Sequence, residues 1–575
     1  MPVLLRASNG ARAIKGAVRL FRRLAESNEG LHDGFFDRTS CKLRVVNWLE
    51  NHDPNTTNYF AEIPNSSDPS AIFKLTLPGC NEFCGKGTLY WDWLPRIAIW
   101  TIPILLLLSN LELTPIDKKR FTAIVRALGD PIDSVYSLVY KLYVWDRLYR
   151  ISLDYVKDQT GEAETNDEIR RRARLVAAVL SGFEELSGAL LSSEKYYFSI
   201  LDQFYIKHDM DREQEEEILM HWSHTATTLV DSRTNDFLRT CLALTVYAFG
   251  IAQAISPYVG GGGTSVPGGR IACALFLSWL LPLVMLSNTF GSFPSRRTCL
   301  EAIFRFLKSM DLLHLRPRPR PRPAPERPFR ICSYGHYFRA VPFLGAIYVY
   351  RPWKAKSGWW PRRCGLLALS AVPAVLGVVG SFLILWFAVP TGYGCRHSWV
   401  LGVFFAWVLS CVFTWTTGPY LSRHWHWWLT LIKDAVVGFF TVALPTASNL
   451  GWWNNCNCWS TSPWNPKLDS AYVPVGTSEK YAEYNGSIYI CVISIFLALQ
   501  VAFYFCITFY FWKGIQVVRW KEGDTRIEWE RTHRLGDQSG DLEFLGFRRS
   551  DDPGNRPWDR FLQSLSQWRS EEYEL

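Results

Sequence analysis

The chain has 575 residues, with 62 Lys and Arg against 53 Asp and Glu and a formal charge of +9. Mean hydropathy is −0.02 although 20% of the residues are charged, so the apolar residues must be gathered into blocks rather than spread over amphipathic faces. That segregation excludes an ordinary soluble domain. The positive excess lies beside the apolar blocks, which points to a membrane surface rather than to nucleic acid.

In chain order, the first stretch carries Arg6, Arg12, Lys15, Arg19, Arg22 and Arg23 with no acid before Glu26. It lacks the apolar core of a secretory signal and resembles a mitochondrial transit peptide or a basic amphipathic helix. The rest of 1–93 is a polar outer segment with Cys41, Cys80 and Cys84 and with N-x-Ser/Thr sequons at Asn55 and Asn65. It is expected to form a small disulfide-pinned cap. The first apolar block, 94–113, contains Pro103 and ends near Glu112.

A cytoplasmic helical segment, 114–236, follows. Asp130-Pro131-Ile132-Asp133 is a helix start: a cap residue, Pro at the first helical position, then an acid at the positive helix end. Val135, Leu138, Val139, Leu142, Trp145 and Leu148 then recur at helical spacing, an apolar face for packing on a bundle or on the interface. Two apolar blocks occupy 237–293, approximately Phe237–Val259 and Ile271–Phe293, separated by the glycine run Gly260–Gly263. The loop 294–364 holds the alternating Pro/Arg run from Arg316 to Pro323, which blocks helix and strand and favours polyproline II. It is a stiff spacer or a docking site for anionic lipid or an SH3-type partner. Four further blocks, approximately Gly365–Val389, Trp399–Thr416, Ala435–Trp453 and Ile488–Trp512, fill 365–512, and 513–575 is a cytoplasmic tail.

A crossing needs roughly 20 apolar residues. The expectation is therefore an all-α polytopic bundle of about seven spans, with helical cytoplasmic segments and the outer cap. The basic loop 294–364 fixes orientation, because positive residues stay inside. Alternation then places the N-terminal segment outside and the C-terminus inside. The sequons at Asn55, Asn65 and Asn485 all fall outside on this count, as glycosylation requires. So do Cys41, Cys80, Cys84, Cys395, Cys456 and Cys458, an even set suited to disulfides in an oxidising compartment. Cys456 and Cys458 sit too close in sequence to bond readily to each other, and Cys395 is one partner within reach. An inward N-terminus with only six spans is the competing arrangement, suggested by the basic N-terminal stretch.

Candidate sites are few. Ala435–Trp453 is long enough alone, which places Lys433 and Asp434 at the cytoplasmic interface. If the span began at His426 instead, the pair would lie within the membrane and mark a functional site. His424 and His426 read as an interfacial aromatic belt around Trp425, and Asp209, Asp211 and Glu213 as a solvated helix rather than a calcium loop. Ser370, Ala374, Gly377 and Ser381 make a small-residue packing stripe. No nucleophile elbow, phosphate loop, zinc motif or dinucleotide fingerprint occurs, so neither an enzyme nor a cofactor is expected. Transport is the first functional expectation, from span prolines, Gln253, Gln500 and the Lys433/Asp434 pair, although charges in the spans are few. A receptor or scaffold with cytoplasmic partner-binding segments is the alternative.

Cys84-Gly-Lys-Gly-Thr88, Leu128-Gly-Asp-Pro-Ile-Asp133 and Asn455-Cys-Asn-Cys-Trp-Ser460 resemble a family of uncharacterised multi-pass integral membrane proteins of filamentous fungi. The resemblance implies architecture only, because that family carries no assigned activity. The expected location is a membrane of the secretory pathway, the plasma membrane first and the vacuolar or endoplasmic-reticulum membrane as alternatives.

Overall fold

Five helical stretches of the computed structural model are long and apolar enough to cross a membrane: Gly269–Thr289, Cys364–Phe387, Cys395–Thr417, Trp428–Leu450 and Ser487–Tyr510. The structure describes residues 38–52, 57–62, 73–84, 93–111, 120–159, 165–187, 195–204, 212–233, 237–255, 268–290, 296–314, 360–388, 392–417, 420–421, 423–461, 471–475 and 479–518. The Pro/Arg run at 316–323, the sequons at Asn55 and Asn65, and Asp209 and Asp211 lie outside these residues.

The described chain is mostly helical. The N-terminal cap contains α1 (Arg38–Asn51), β1 (Phe73–Leu75) and α2 (Leu77–Phe83). Then come α3 (Trp93–Ser109), α4 (Arg120–Gly129), α5 (Pro131–Gln159), α6 (Asn166–Ser187), α7 (Lys195–Phe204) and α8 (Arg212–Asp231). Next are α9 (Phe237–Ile255), α10 (Gly268–Phe276), α11 (Leu280–Phe290) and α12 (Arg296–His314). The C-terminal half holds α13 (Trp360–Phe387), α14 (Cys395–Thr417), α15 (Arg423–Leu450) and α16 (Cys456–Trp459). β2 (Val473–Val475), α17 (Glu479–Tyr510) and α18 (Trp512–Val518) end the described chain.

Where about seven spans are expected, five described helices are long and apolar enough to cross. The remaining two apolar blocks fold as helices, α3 and α9, but their apolar cores, Trp100–Ser109 and Thr240–Ala252, are shorter than a full span. Arg96 precedes the first core, and Arg239 and Gln253 flank the second.

Lipid-type surfaces are evident on the outer rows of the bundle. Phe405, Leu409 and Val412 on α14, Ile432, Val436 and Phe439 on α15, and Phe505 and Phe509 on α17 are exposed. Large apolar residues left exposed in such rows suit hydrocarbon rather than water. By contrast α10 and α11 are almost wholly buried, the central element of the bundle.

Glycines set the closest helix approaches. An added Cβ at Gly377 would lie 2.8 Å from the Phe276 carbonyl, so the small-residue row of α13 packs directly on α10. At Gly129 it would lie 2.5 Å from the Cα of Asp434, the tightest crossing of α4 over α15. Gly451, with φ of 105°, ends α15: its N–H and that of Trp452 both return to the Ala447 carbonyl, a left-handed helix stop that glycine adopts without Cβ strain.

The chain leaving Gly451 enters the cap. There β1 pairs antiparallel with β2, Phe73 opposite Val475, around a core of Val45, Phe73, Leu75, Phe83, Trp459, Val473 and Val475. Three disulfides stitch it: Cys41–Cys84, Cys80–Cys456 and Cys395–Cys458. The seven other described cysteines, Cys241, Cys273, Cys299, Cys364, Cys411, Cys491 and Cys506, are not in disulfides.

Gly129→Ala forces the α4 and α15 backbones apart and is expected to cost about 1–3 kcal/mol through overpacking. Gly402→Ala, where an added Cβ meets nothing within 4 Å, should leave stability unchanged. Thermal unfolding of the two variants in detergent checks the contrast.

A buried charge cluster as the candidate functional site

The helix break at Asp130 and Pro131 creates the site. Pro131 has no N–H to donate, and the Asp133 N–H turns to Asp130 Oδ1 at 3.0 Å. The carbonyls ending α4 therefore need other partners. Trp407 Nε1 and Thr441 Oγ1 reach the Leu128 carbonyl at 3.2 and 3.1 Å, and Ser410 Oγ donates to that of Gly129 at 3.0 Å. Side chains of α14 and α15 thus finish a helix that ends inside the bundle.

Asp130 itself faces Lys433. The ammonium lies 2.6 Å from Ser410 Oγ, 2.9 Å from the Ser410 carbonyl, 2.6 Å from Thr414 Oγ1, 3.1 Å from Asp130 Oδ2 and 2.8 Å from Asp434 Oδ1. Its three N–H bonds are shared among the first four of these oxygens, and Asp434 Oδ1 meets it as an ion pair without a hydrogen bond. Arg126 acts electrostatically on Asp434 from α4. Two cations and two carboxylates balance, as charges removed from water must.

His426 belongs to the same cluster. Its side chain is 1% exposed, with Nε2 3.2 Å from the Thr414 carbonyl and Nδ1 3.5 Å from Thr430 Oγ1. The expected interfacial belt is therefore divided: Trp425 is exposed, whereas His426 points inward.

The helix begins at Arg423 and its apolar stretch at Trp428, so Lys433 and Asp434 lie within that stretch, five and six residues from its start. Local sequence does not reveal the cluster because Arg126 and Asp130, which neutralise the pair, are some 300 positions away (the separation of Lys433 and Asp130 is 303). The signal that could have found it was Asp130 in a helix-breaking Asp-Pro step.

The other expected positions fall elsewhere. Asn485 lies in α17. Cys41, Cys80, Cys84, Cys456 and Cys458 lie in the cap, and Cys395, the first residue of α14, is tied to it through Cys458. Gln500 is buried and donates to Ser278 Oγ at 3.1 Å and the Pro373 carbonyl at 2.9 Å, joining α17 to the central element and to the proline of α13. Among the described residues, no three His, Cys, Asp or Glu side chains converge as a metal site.

A second buried ionic group lies between α5, α6 and the end of α8. Lys141 Nζ is 2.6 Å from Glu185 Oε1 and Arg233 Nη1 is 3.8 Å from it, while both cations face the Trp145 ring at about 5 Å. Tyr197 donates to the neighbouring Glu184. Burial pulls the Lys141 ammonium below its ordinary value, against the pull of Glu185. Its partners are all helix-packing neighbours, so the group locks this helical unit together.

Lys433→Met should destabilise the protein by about 3–5 kcal/mol, because it leaves buried carboxylates short of a cation. Lys433→Met with Asp434→Asn restores neutrality and should recover more than half of that loss. A double-mutant cycle of unfolding in detergent measures the coupling; additivity of the two changes would show that the charges do not act as one unit.

Compared with protein-family models, with curated proteins and with solved structures, the chain matches none.

Proposed function

We propose that this is a seven-crossing membrane protein that moves a small solute or ion, with the Lys433, Asp130 and Asp434 cluster as the point at which the path is controlled. The observation that carries the reading is a balanced set of four charges, inside an apolar bundle, at a helix break. Ionisable groups are costly in a bilayer and mark pathways, and broken helices at such depth are a recurring element of transport sites.

Seven crossings are supported by disulfides and packing together. Cys80 bonds Cys456, so both ends lie on one side of the membrane. Cys395 bonds Cys458, which puts the start of α14 and the end of α13 on that side too. The start of α13, and α12 before it, then belong to the opposite side. So does α18, which follows α17 across. The polar unit of α5, α6 and α8 packs on α12 and α18, so it sits opposite the cap. Only if α3 crosses can the chain travel from Cys84 to that unit, and only if α9 crosses can it return to begin the central element. The alternative with six spans, in which α9 crosses but α3 does not, would separate Cys80 from Cys456.

An oxidising compartment on the cap side suits the disulfides and favours a secretory-pathway membrane, the plasma membrane first. Short crossings are tolerated where neighbouring helices cover them, and α3 packs on α9, α10, α11 and α15.

An epitope inserted between Gln159 and Thr165 should bind antibody only after cells are permeabilised; binding to intact cells would reduce the count to five. For activity, purified protein in liposomes should pass at least one of protons, sodium, potassium, phosphate or amino acids, and Lys433→Met that remains monodisperse should not. Absence of flux over that panel would sink the transport reading and leave the scaffold reading, with the unit of α5, α6, α8 and α12 as the binding body.

A further inference from the structure

The five oxygens around Lys433 have the make-up of an ion site. One serine supplies its hydroxyl and its carbonyl, a threonine a second hydroxyl, and Asp130 and Asp434 one carboxylate oxygen each, all 2.6–3.1 Å from Nζ. Hard oxygen donors converging on one point are what alkali and alkaline-earth cations require. The radius is too wide for magnesium at about 2.0–2.1 Å and at the far edge for calcium at about 2.3–2.6 Å. It suits an ammonium or a monovalent ion of similar size.

Charge selects the same class. Asp130 and Asp434 set two carboxylates against the Lys433 ammonium, and Arg126 acts on Asp434 from α4. Removing the lysine charge leaves the cluster one positive charge short, which one monovalent cation restores and a divalent ion overshoots. The buried Asp133, whose N–H bonds Asp130 Oδ1, is the next carboxylate along α5, and Ser410, Thr414 and Thr430 are uncharged.

We propose that this cage is a monovalent-cation site whose resident ion is the tethered Lys433 ammonium. The native protein then needs no sodium or potassium to hold the cluster together. The cage does not rest on the transport reading above.

The test uses full-length protein in detergent, with thermal unfolding followed in sodium, potassium, calcium or choline chloride at equal ionic strength. Lys433→Ala removes the tethered cation and opens its space. Its unfolding temperature should rise by several degrees with sodium or potassium relative to choline, saturating with concentration. Wild type should not respond, and Lys433→Ala with Asp130→Asn, which is neutral, should lose the response. Lys433→Ser, which places a hydroxyl in the same space, is read in the same way and guards against poor accumulation of the alanine variant. Salt-dependent recovery of either variant during purification counts as support. A lack of response in both variants overturns the proposal, as does an equal response in wild type or a response to calcium alone. Absence of flux in the liposome experiment would leave this result standing.

Discussion

An ammonium placed in an apolar bundle must be surrounded by oxygens and balanced by negative charge, and that requirement organises the centre of this protein. Lys433 on α15 draws in Asp130 from the α4–α5 junction and Ser410 and Thr414 from α14. To bring Asp130 close enough, α4 must lie almost on the α15 backbone, which Gly129 and, on α15, Gly438 permit. The Asp-Pro step then frees two carbonyls, and Trp407, Ser410 and Thr441 take them up. Helix break, glycine contact and charge cluster are one structural unit.

At the other end of the bundle a different constraint rules. The cap is small, with two three-residue strands and short helices, too little to bury a self-sufficient core. Three disulfides hold it, and one of them joins positions 376 residues apart. That bond ties the entry to α3 to the loop between the last two full spans. It therefore links the short helix α3 to α15, the helix that bears Lys433.

Between these ends the bundle follows membrane packing rules. Small residues on α13 meet α10 backbone to backbone, and a buried Gln500 bonds across to two other elements. The polar helices α5, α6 and α8 form their own core through Trp145, Phe183 and Trp222, with the Lys141, Glu185 and Arg233 group inside it. The protein thus buries two ionic groups for different ends: one joins helices of a polar unit, and the other sits where a broken helix meets an apolar span.

By itself the sequence determined the membrane class, the helical character and the five long apolar spans, because hydrocarbon demands long unbroken apolar runs that are visible locally. It also singled out the helix start at Asp130, the glycine-bearing stripe of α13 and the six cysteines of the cap. What it did not reveal was which residues meet. Lys433 looked like an ordinary interfacial charge because Asp130, the carboxylate it meets beside the adjacent Asp434, lies 303 positions earlier. The disulfide partners and the inward turn of His426 were likewise decided by tertiary structure, since each depends on contacts between segments that no local pattern records.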